Sequence, residues 1–226
     1  MTKHFQRDLE RVKKEILAMG RMVEEATNKA ITALVDRRPE LAREAMAGDD
    51  AIDEKELAIE EDCLKILALH QPVATDLRFV VAVMKVNNDL ERMGDLAINI
   101  AERAAYLSTH DPIQVPLDFG RMAERVRTML RESLDSLVNL DAALARKICQ
   151  EDEEVDGINR EMFVVLQGLM YEQPETIKRA VHTLSASRHL ERIADLATNI
   201  AEDVVFMVEG EVIRHRLEDY RGEESG

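Results

Sequence analysis

Glu91 and Asp95 stand four residues apart, and one hundred residues later Glu191 and Asp195 repeat the relation. On a helix, carboxylates at this spacing share one face and repel each other slightly, so each pair calls for a compensating charge. Arg92 and Arg192 are the nearest candidates within the chain, and a bound cation is the other. Carboxylate and amide oxygens suit hard cations such as Mg2+, Ca2+, Mn2+ or iron rather than a thiolate-seeking metal. Two carboxylates are too few to enclose an ion, so further oxygens are expected from Asp49, Asp53, Asn99 and Glu102 in the first half and Asp152, Asp156, Asn199 and Glu202 in the second. A solvated acidic helix face is the plain alternative for the same residues.

The pairs belong to a longer repeat. Leu90–Glu102 returns as Leu190–Glu202 with ten of thirteen positions identical. A core helix needs only its apolar residues at fixed spacing, yet here Glu, Arg, Asp and Asn recur as well. Leu41-Ala42-Arg43 followed by Asp49 and Ile52-Asp53 matches Leu144-Ala145-Arg146 followed by Asp152 and Val155-Asp156, at an offset of 103. Gln71-Pro72 likewise matches Gln173-Pro174. Arg43, Arg92, Arg146 and Arg192 recur beside these landmarks and are candidate contacts for a protein partner; the good helix propensity of Leu, Ala and Arg offers a blander account of the first motif.

The elements that position these residues read as helices. Proline is tolerated in a first helical turn and disruptive inside, so Pro39, Pro72 and Pro174 mark helix starts. A first helix is expected over about residues 4–38, a second from Pro39 to Pro72 and a third to about Ser108. The second copy lacks a counterpart of Pro39, and Asp141 is expected to cap a helix there instead. At about 100° per residue, Leu90, Met93, Leu96, Ala97, Ile100, Ala101 and Ala104 gather on one side, with Glu91, Asp95 and Glu102 opposite. The fold class is therefore all-α, with three helices per half and the two bundles placed end to end. The expected domains are residues 1–110 and 118–210, joined by a linker over 111–117 and followed by a polar tail over 211–226.

Composition excludes several functions. A net charge of −15 without a Lys/Arg block opposes nucleic-acid binding. Cys63 and Cys149 lie far apart with no C-x-x-C pair, which argues against a zinc or redox site and for a reduced cytoplasm. The first residues carry no apolar signal core, and the longest apolar run, Phe79 to Met84, is too short to span a bilayer, so membrane association is expected only through partners. No His follows a Glu at the spacing of a ferritin-like di-iron site, and no phosphate loop, H-E-x-x-H or G-x-S-x-G motif is present. His189 is replaced by Asp89 in the first half and reads as a boundary histidine. Gly94, against Ala194, suits close approach of a ligand or a neighbouring chain.

Two copies of Glu-Arg-x-x-Asp within Leu-Glu-Arg-x-x-Asp-Leu-Ala-x-Asn-Ile-Ala-Glu, each after Gln-Pro and an acidic Ile-Asp or Val-Asp block, resemble the PhoU family of phosphate-uptake regulators. The resemblance covers about Phe5 to Met207. It implies tandem three-helix bundles related by pseudo-two-fold symmetry, a cytoplasmic homodimer and a non-enzymatic role. It also implies partnership with the ATPase subunit of the phosphate ABC transporter and with a phosphate-sensing histidine kinase, as a negative regulator of the phosphate regulon. Some members of that family carry metal clusters on Glu-x-x-x-Asp surfaces and others carry none; the matching positions here are Glu91, Asp95, Glu191 and Asp195. A metal-binding helical protein and a purely structural scaffold are the alternative readings.

Overall fold

In the computed structural model the described residues are 3–115, 117–211 and 213, with the side chains of residues 151 and 152 outside them. Seven α-helices follow in order: α1 Lys3–Val35, α2 Pro39–Met46, α3 Asp49–His70, α4 Ala74–Ser108, α5 Phe119–Asn139, α6 Ala142–Glu172 and α7 Ile177–Glu209. Pro39 occupies the first turn of α2, and Pro174 opens a short 3-10 turn, Pro174–Thr176, that leads into α7. Asp141 caps α6, its carboxylate accepting the Leu144 N–H at 3.0 Å, in the place where the first copy uses proline.

Two boundaries differ from the sequence reading. The first helix stops at Val35 because Arg37 takes a left-handed conformation, φ 56°, and its guanidinium donates to the carbonyls of Leu107, at 2.6 Å, and His110. Arg37 thereby ties the end of α1 to carbonyls at and just beyond the end of α4. The expected second helix is broken at Ala47-Gly48, where the Gly48 N–H reaches back only three residues to Ala45 and the turn tightens. The first half thus holds four helices, whereas α6 runs unbroken through the matching stretch.

The halves do not stack end to end. Helix α4 packs against α7, and α1 packs against α5, so both contacts cross between copies. Lys85 meets Asp203 at 3.0 Å, while Tyr106 stacks on His182 with ring centroids 3.8 Å apart, so α4 and α7 run antiparallel. Arg127 of α5 reaches the Thr32 hydroxyl of α1 at 2.7 Å, and a Cβ at Gly20 would lie 2.6 Å from Leu134, which shows how closely those two helices approach. Helices α1, α4, α7 and α5 form a closed ring, with α2 and α3 laid on the first half and α6 on the second. One large core results, running from Val12 and Ile16 through Leu90 and Met93 to Met129, Leu190 and Ile200, with a small separate cluster of Leu166, Leu169 and Ala180. Full burial of each such large side chain contributes about 1.5–3 kcal/mol. No helix among the described residues is long and apolar enough to cross a membrane.

Gly94 answers to this packing rather than to a ligand or a second chain. A Cβ there would come within 3.3 Å of two Ile52 side-chain atoms on α3. The corresponding residues of the second copy are Ala194 and Val155, so the methyl gained at one position goes with a methylene lost at the other. Gly94→Ala gains about 1 kcal/mol of helix propensity but presses on Ile52. A double-mutant cycle of Gly94→Ala with Ile52→Val is therefore expected to show a favourable coupling of about 0.5–1.5 kcal/mol in urea unfolding, and strict additivity would remove this account.

Cys63 and Cys149 are buried and free. Burial, reinforced by Asp62 and Glu60, pushes the Cys63 thiol up to about 12, so the reactive thiolate is scarce at neutral pH. Cys63 in the native protein is expected to resist Ellman's reagent at pH 8 and to react at once in denaturant; rapid native labelling would contradict this burial.

Candidate functional site

The carboxylates of each repeat lie where two helices meet, α3 with α4 in the first half and α6 with α7 in the second. In the first half, α4 supplies Glu91 and Asp95 and α3 supplies Asp49 and Asp53, with Glu91 and Asp49 partly buried and Asp95 and Asp53 exposed. In the second, α7 supplies Glu191, partly buried, and Asp195, exposed, and α6 supplies the partly buried Asp156; the Asp152 side chain lies outside the described residues. The stripes are thus not free faces opposite the core, because α3 and α6 cover one flank of each.

This placement shows in the proton affinities. Glu91 is raised above its ordinary value by burial first, then by Asp95, Asp53 and Glu56, against a smaller opposing effect of Arg92. Asp49 is raised by burial and by Asp53, Asp95 and Asp50. In the second half Glu191 is raised by burial, Asp195 and Asp156, and Asp195 by burial and Asp156, with Arg192 opposing both. The carboxylates that the spacing picked out do act on one another across helices.

The sequence reading missed a residue in each site. Glu56 continues the α3 stripe, and burial, Glu60 and Asp53 raise its carboxyl. Its backbone carbonyl and Oε1 accept from the buried Asn87 amide at 3.0 and 3.3 Å. The counterparts are Asn159, whose Oδ1 accepts from the Ser187 hydroxyl at 2.6 Å. Position 56 follows Asp49 and Asp53 at spacings of four and three, a helical stripe in its own right, but a search for identical residues in both copies passes over it.

Other expected members separate from the site. Glu202 is buried, 9% exposed, unlike Glu102, which is exposed and 3.8 Å from Arg103. The end of α7 is covered on more sides than that of α4. There the thiol of Cys149 on α6 approaches the Thr198 carbonyl at 4.0 Å, and Thr198 and Asp203 are buried beside Glu202. Asn99 donates to the Asp95 carbonyl at 2.8 Å. Arg146 bonds Glu209 and, at 3.0 Å, Glu211, which ties the start of α6 to the end of α7, while Arg43 is exposed.

The antiparallel α4–α7 seam joins what the sequence shows only as two separate motifs. Arg92, Asp95, Leu96 and Asn99 face Arg192, Asp195, Leu196 and Asn199 across a shared groove of about 390 Å3. Two guanidiniums and two carboxylates therefore lie about a local two-fold axis, between the acidic sites. Carboxylate oxygens are the donor type a hard cation takes, and its charge would offset the repulsion that raises these carboxyls. Among the described residues no three His, Cys, Asp or Glu side chains converge on one ion position.

Linkage gives the arrangement a measurable sign. Glu91 has an ordinary value of 4.5 and a higher one when folded, so the folded chain binds more protons between those two values. The destabilisation by its charged form is full at neutral pH and is relieved as pH falls through the raised folded value. Glu91→Gln is therefore expected to raise Tm at pH 7.5 by about 1–3 °C, an advantage that fades as the pH approaches 4. A variant no more stable than the parent at pH 7.5 would mean that the repulsion is already screened.

The comparisons with known proteins match this architecture. The PhoU domain matches residues 16–104 and again 119–204, one match per repeat. The phosphate-specific transport system accessory protein PhoU homolog of Aquifex aeolicus is 40% identical, over 96% of this chain and 98% of its own. The homolog from Pseudomonas aeruginosa is 37% identical over 99% of this chain and 96% of its own. The crystal structure of PhoU from Pseudomonas aeruginosa superposes with a TM-score of 0.89 at 38% identity, covering 92% of this chain and 100% of that one. The regulatory protein PhoU from Streptococcus pneumoniae, a phosphate transport system component, gives 0.84 at 33% identity, covering 92% and 98%. With both repeats matched and the full α-helical architecture shared, the chain belongs to the PhoU family.

Proposed function

We propose that this chain is a non-enzymatic accessory regulator of phosphate uptake, acting in the cytoplasm. The observation that carries the reading is the match of both repeats, with the motif intact in each, to relatives named as phosphate transport accessory proteins. The partners are the ATPase subunit of a phosphate ABC transporter and a phosphate-sensing histidine kinase, and the effect is to restrain uptake and starvation genes when phosphate is plentiful. Such a role needs surfaces rather than reacting groups, and the acidic sites supply carboxylates and guanidiniums. A strain lacking the gene is expected to express phosphate-starvation genes in phosphate-rich medium and to regain repression when the chain is restored. Normal repression in the deletion strain would overturn the proposal.

A second reading concerns the cation, and it is favoured by the raising, beyond the effect of burial, of Glu91 and Asp49 by Asp95 and Asp53, of Glu191 by Asp195 and Asp156, and of Asp195 by Asp156. Glu91, Asp95, Asp49 and Asp53 in one half, and Glu191, Asp195 and Asp156 in the other, would hold a hard cation such as iron, Mn2+, Mg2+ or Ca2+. Bound there, it would supply positive charge that lowers repulsion and gives an anionic group on a partner something to meet. Elemental analysis of protein purified without chelator should find metal that falls by about half in Glu91→Gln/Asp95→Asn, because the second site is untouched. Equal metal in both proteins would exclude the first site. Self-association has support in the exposed Leu57, Leu64 and Leu69 along α3.

A further inference from the structure

The halves share a backbone plan but not a surface. On α6, Phe163 and Val164 are 46% and 66% exposed, and Val181 on α7 is 53% exposed. Their first-half counterparts are Glu60, Glu61 and Val81, so the second copy carries apolar side chains where the first carries two carboxylates. Leu57 corresponds to Arg160 and Asn88 to Arg188, so the same exchange adds two guanidiniums. These residues enclose a groove of about 710 Å3 between α6 and α7, with Phe163, Val164, Val181 and Leu184 along it and Arg160, Arg188 and Arg192 beside them. His189, also in the lining, takes a hydrogen bond between Nε2 and the Ser185 hydroxyl at 3.1 Å, while its Nδ1 is buried without a partner.

We propose that this groove docks an amphipathic helix of a partner protein, one that carries acidic side chains beside its apolar anchors. The lining spans Val181 to Arg192 on α7, about 16 Å or three helical turns, which suits anchors at i, i+3 or i+4, and i+7. Charge complementarity selects the partner's sign. On a chain of net charge −15, a rim of three guanidiniums attracts carboxylates locally, while the rest of the surface repels acidic segments that would bind elsewhere. A second copy of this chain fits less well. A two-fold contact through the groove would bring two sets of arginines together, and a contact with any other face would not close. An anionic lipid surface is opposed by the net charge and by the concave shape. The inference does not rest on the phosphate-regulator reading, and it is tested by binding in vitro rather than by gene expression.

The probe is a displayed library of helical peptides of about 14 residues, with leucine at three positions spaced i, i+3 or i+4, and i+7, and Asp, Glu, Lys or Ala elsewhere. Selection on the full-length chain is expected to enrich Asp and Glu beside the leucines. In fluorescence anisotropy the enriched peptides should lose about tenfold or more in affinity to Arg160→Glu/Arg188→Glu and to Phe163→Glu/Val164→Glu. The latter pair installs the residue type that the first half carries at Glu60 and Glu61, so the fold tolerates it, and circular dichroism verifies this. Enrichment of Lys, or binding unchanged in both variants, would overturn the proposal. So would self-association abolished by Phe163→Glu/Val164→Glu, which assigns the groove to a second copy, or groove-dependent sedimentation with phosphatidylglycerol vesicles, which assigns it to a membrane.

Discussion

The antiparallel packing of α4 against α7 is the constraint on which the rest of the molecule depends. These helices carry the two copies of one sequence, so when they cross head to tail the residues at the centre of the seam face their own counterparts, while towards the ends Lys85 meets Asp203 and Tyr106 meets His182. Leu96 and Leu196 are buried in the seam, and at one end of it the Asp203 carboxylate, 3% exposed, meets Lys85. Sliding one helix by a residue would take that carboxylate from its cation, which is costly for a charge so deeply placed. The same contact brings Arg92 and Asp95 opposite Arg192 and Asp195, so a gene duplication becomes one composite surface.

Within that frame the copies have diverged in compensated pairs. Gly94 with Ile52 corresponds to Ala194 with Val155, a trade of volume between facing helices. Asn87 with Glu56 corresponds to Ser187 with Asn159, a trade of hydrogen-bonding groups that leaves each buried donor with an acceptor. At both pairs the two facing residues differ together, since a change on one side alone would leave a clash or a buried donor without its acceptor. Exposed positions carry no such restriction, and there Glu60 and Glu61 stand against Phe163 and Val164.

Local features were legible in the sequence and assembled ones were not. The Glu-Arg-x-x-Asp repeat, the helix starts at Pro39 and Pro174 and the Asp141 cap each depend on a few neighbouring residues, and each reads correctly. The α2–α3 break does not, since Ala47-Gly48 is a weak signal and α6 passes the same point unbroken. Helical periodicity places Glu102 and Glu202 on the same face, yet only Glu202 is buried, because burial depends on which helix lies alongside. Periodicity assigns a side chain to a face of its own helix and is silent about what covers that face. For the same reason the side-by-side joining of the halves and both grooves were invisible until the packing was known.

Arg192 connects the two functional regions of the second half. It lines both the groove on the two-fold axis and the groove between α6 and α7, and its charge opposes the rise in Glu191 and Asp195. A carboxylate docked between α6 and α7 would draw on that guanidinium and leave Glu191 and Asp195 more strongly repelled, and so readier to take up a cation. Arg188, which lines the same groove and also opposes the rise in Glu191, would act beside it. Linkage would make the effects reciprocal, so that a cation at the acidic site and a helix in the groove would strengthen each other. The first half has Arg92 by its carboxylates but Glu60 and Glu61 where Phe163 and Val164 line the groove, so this coupling would belong to the second copy.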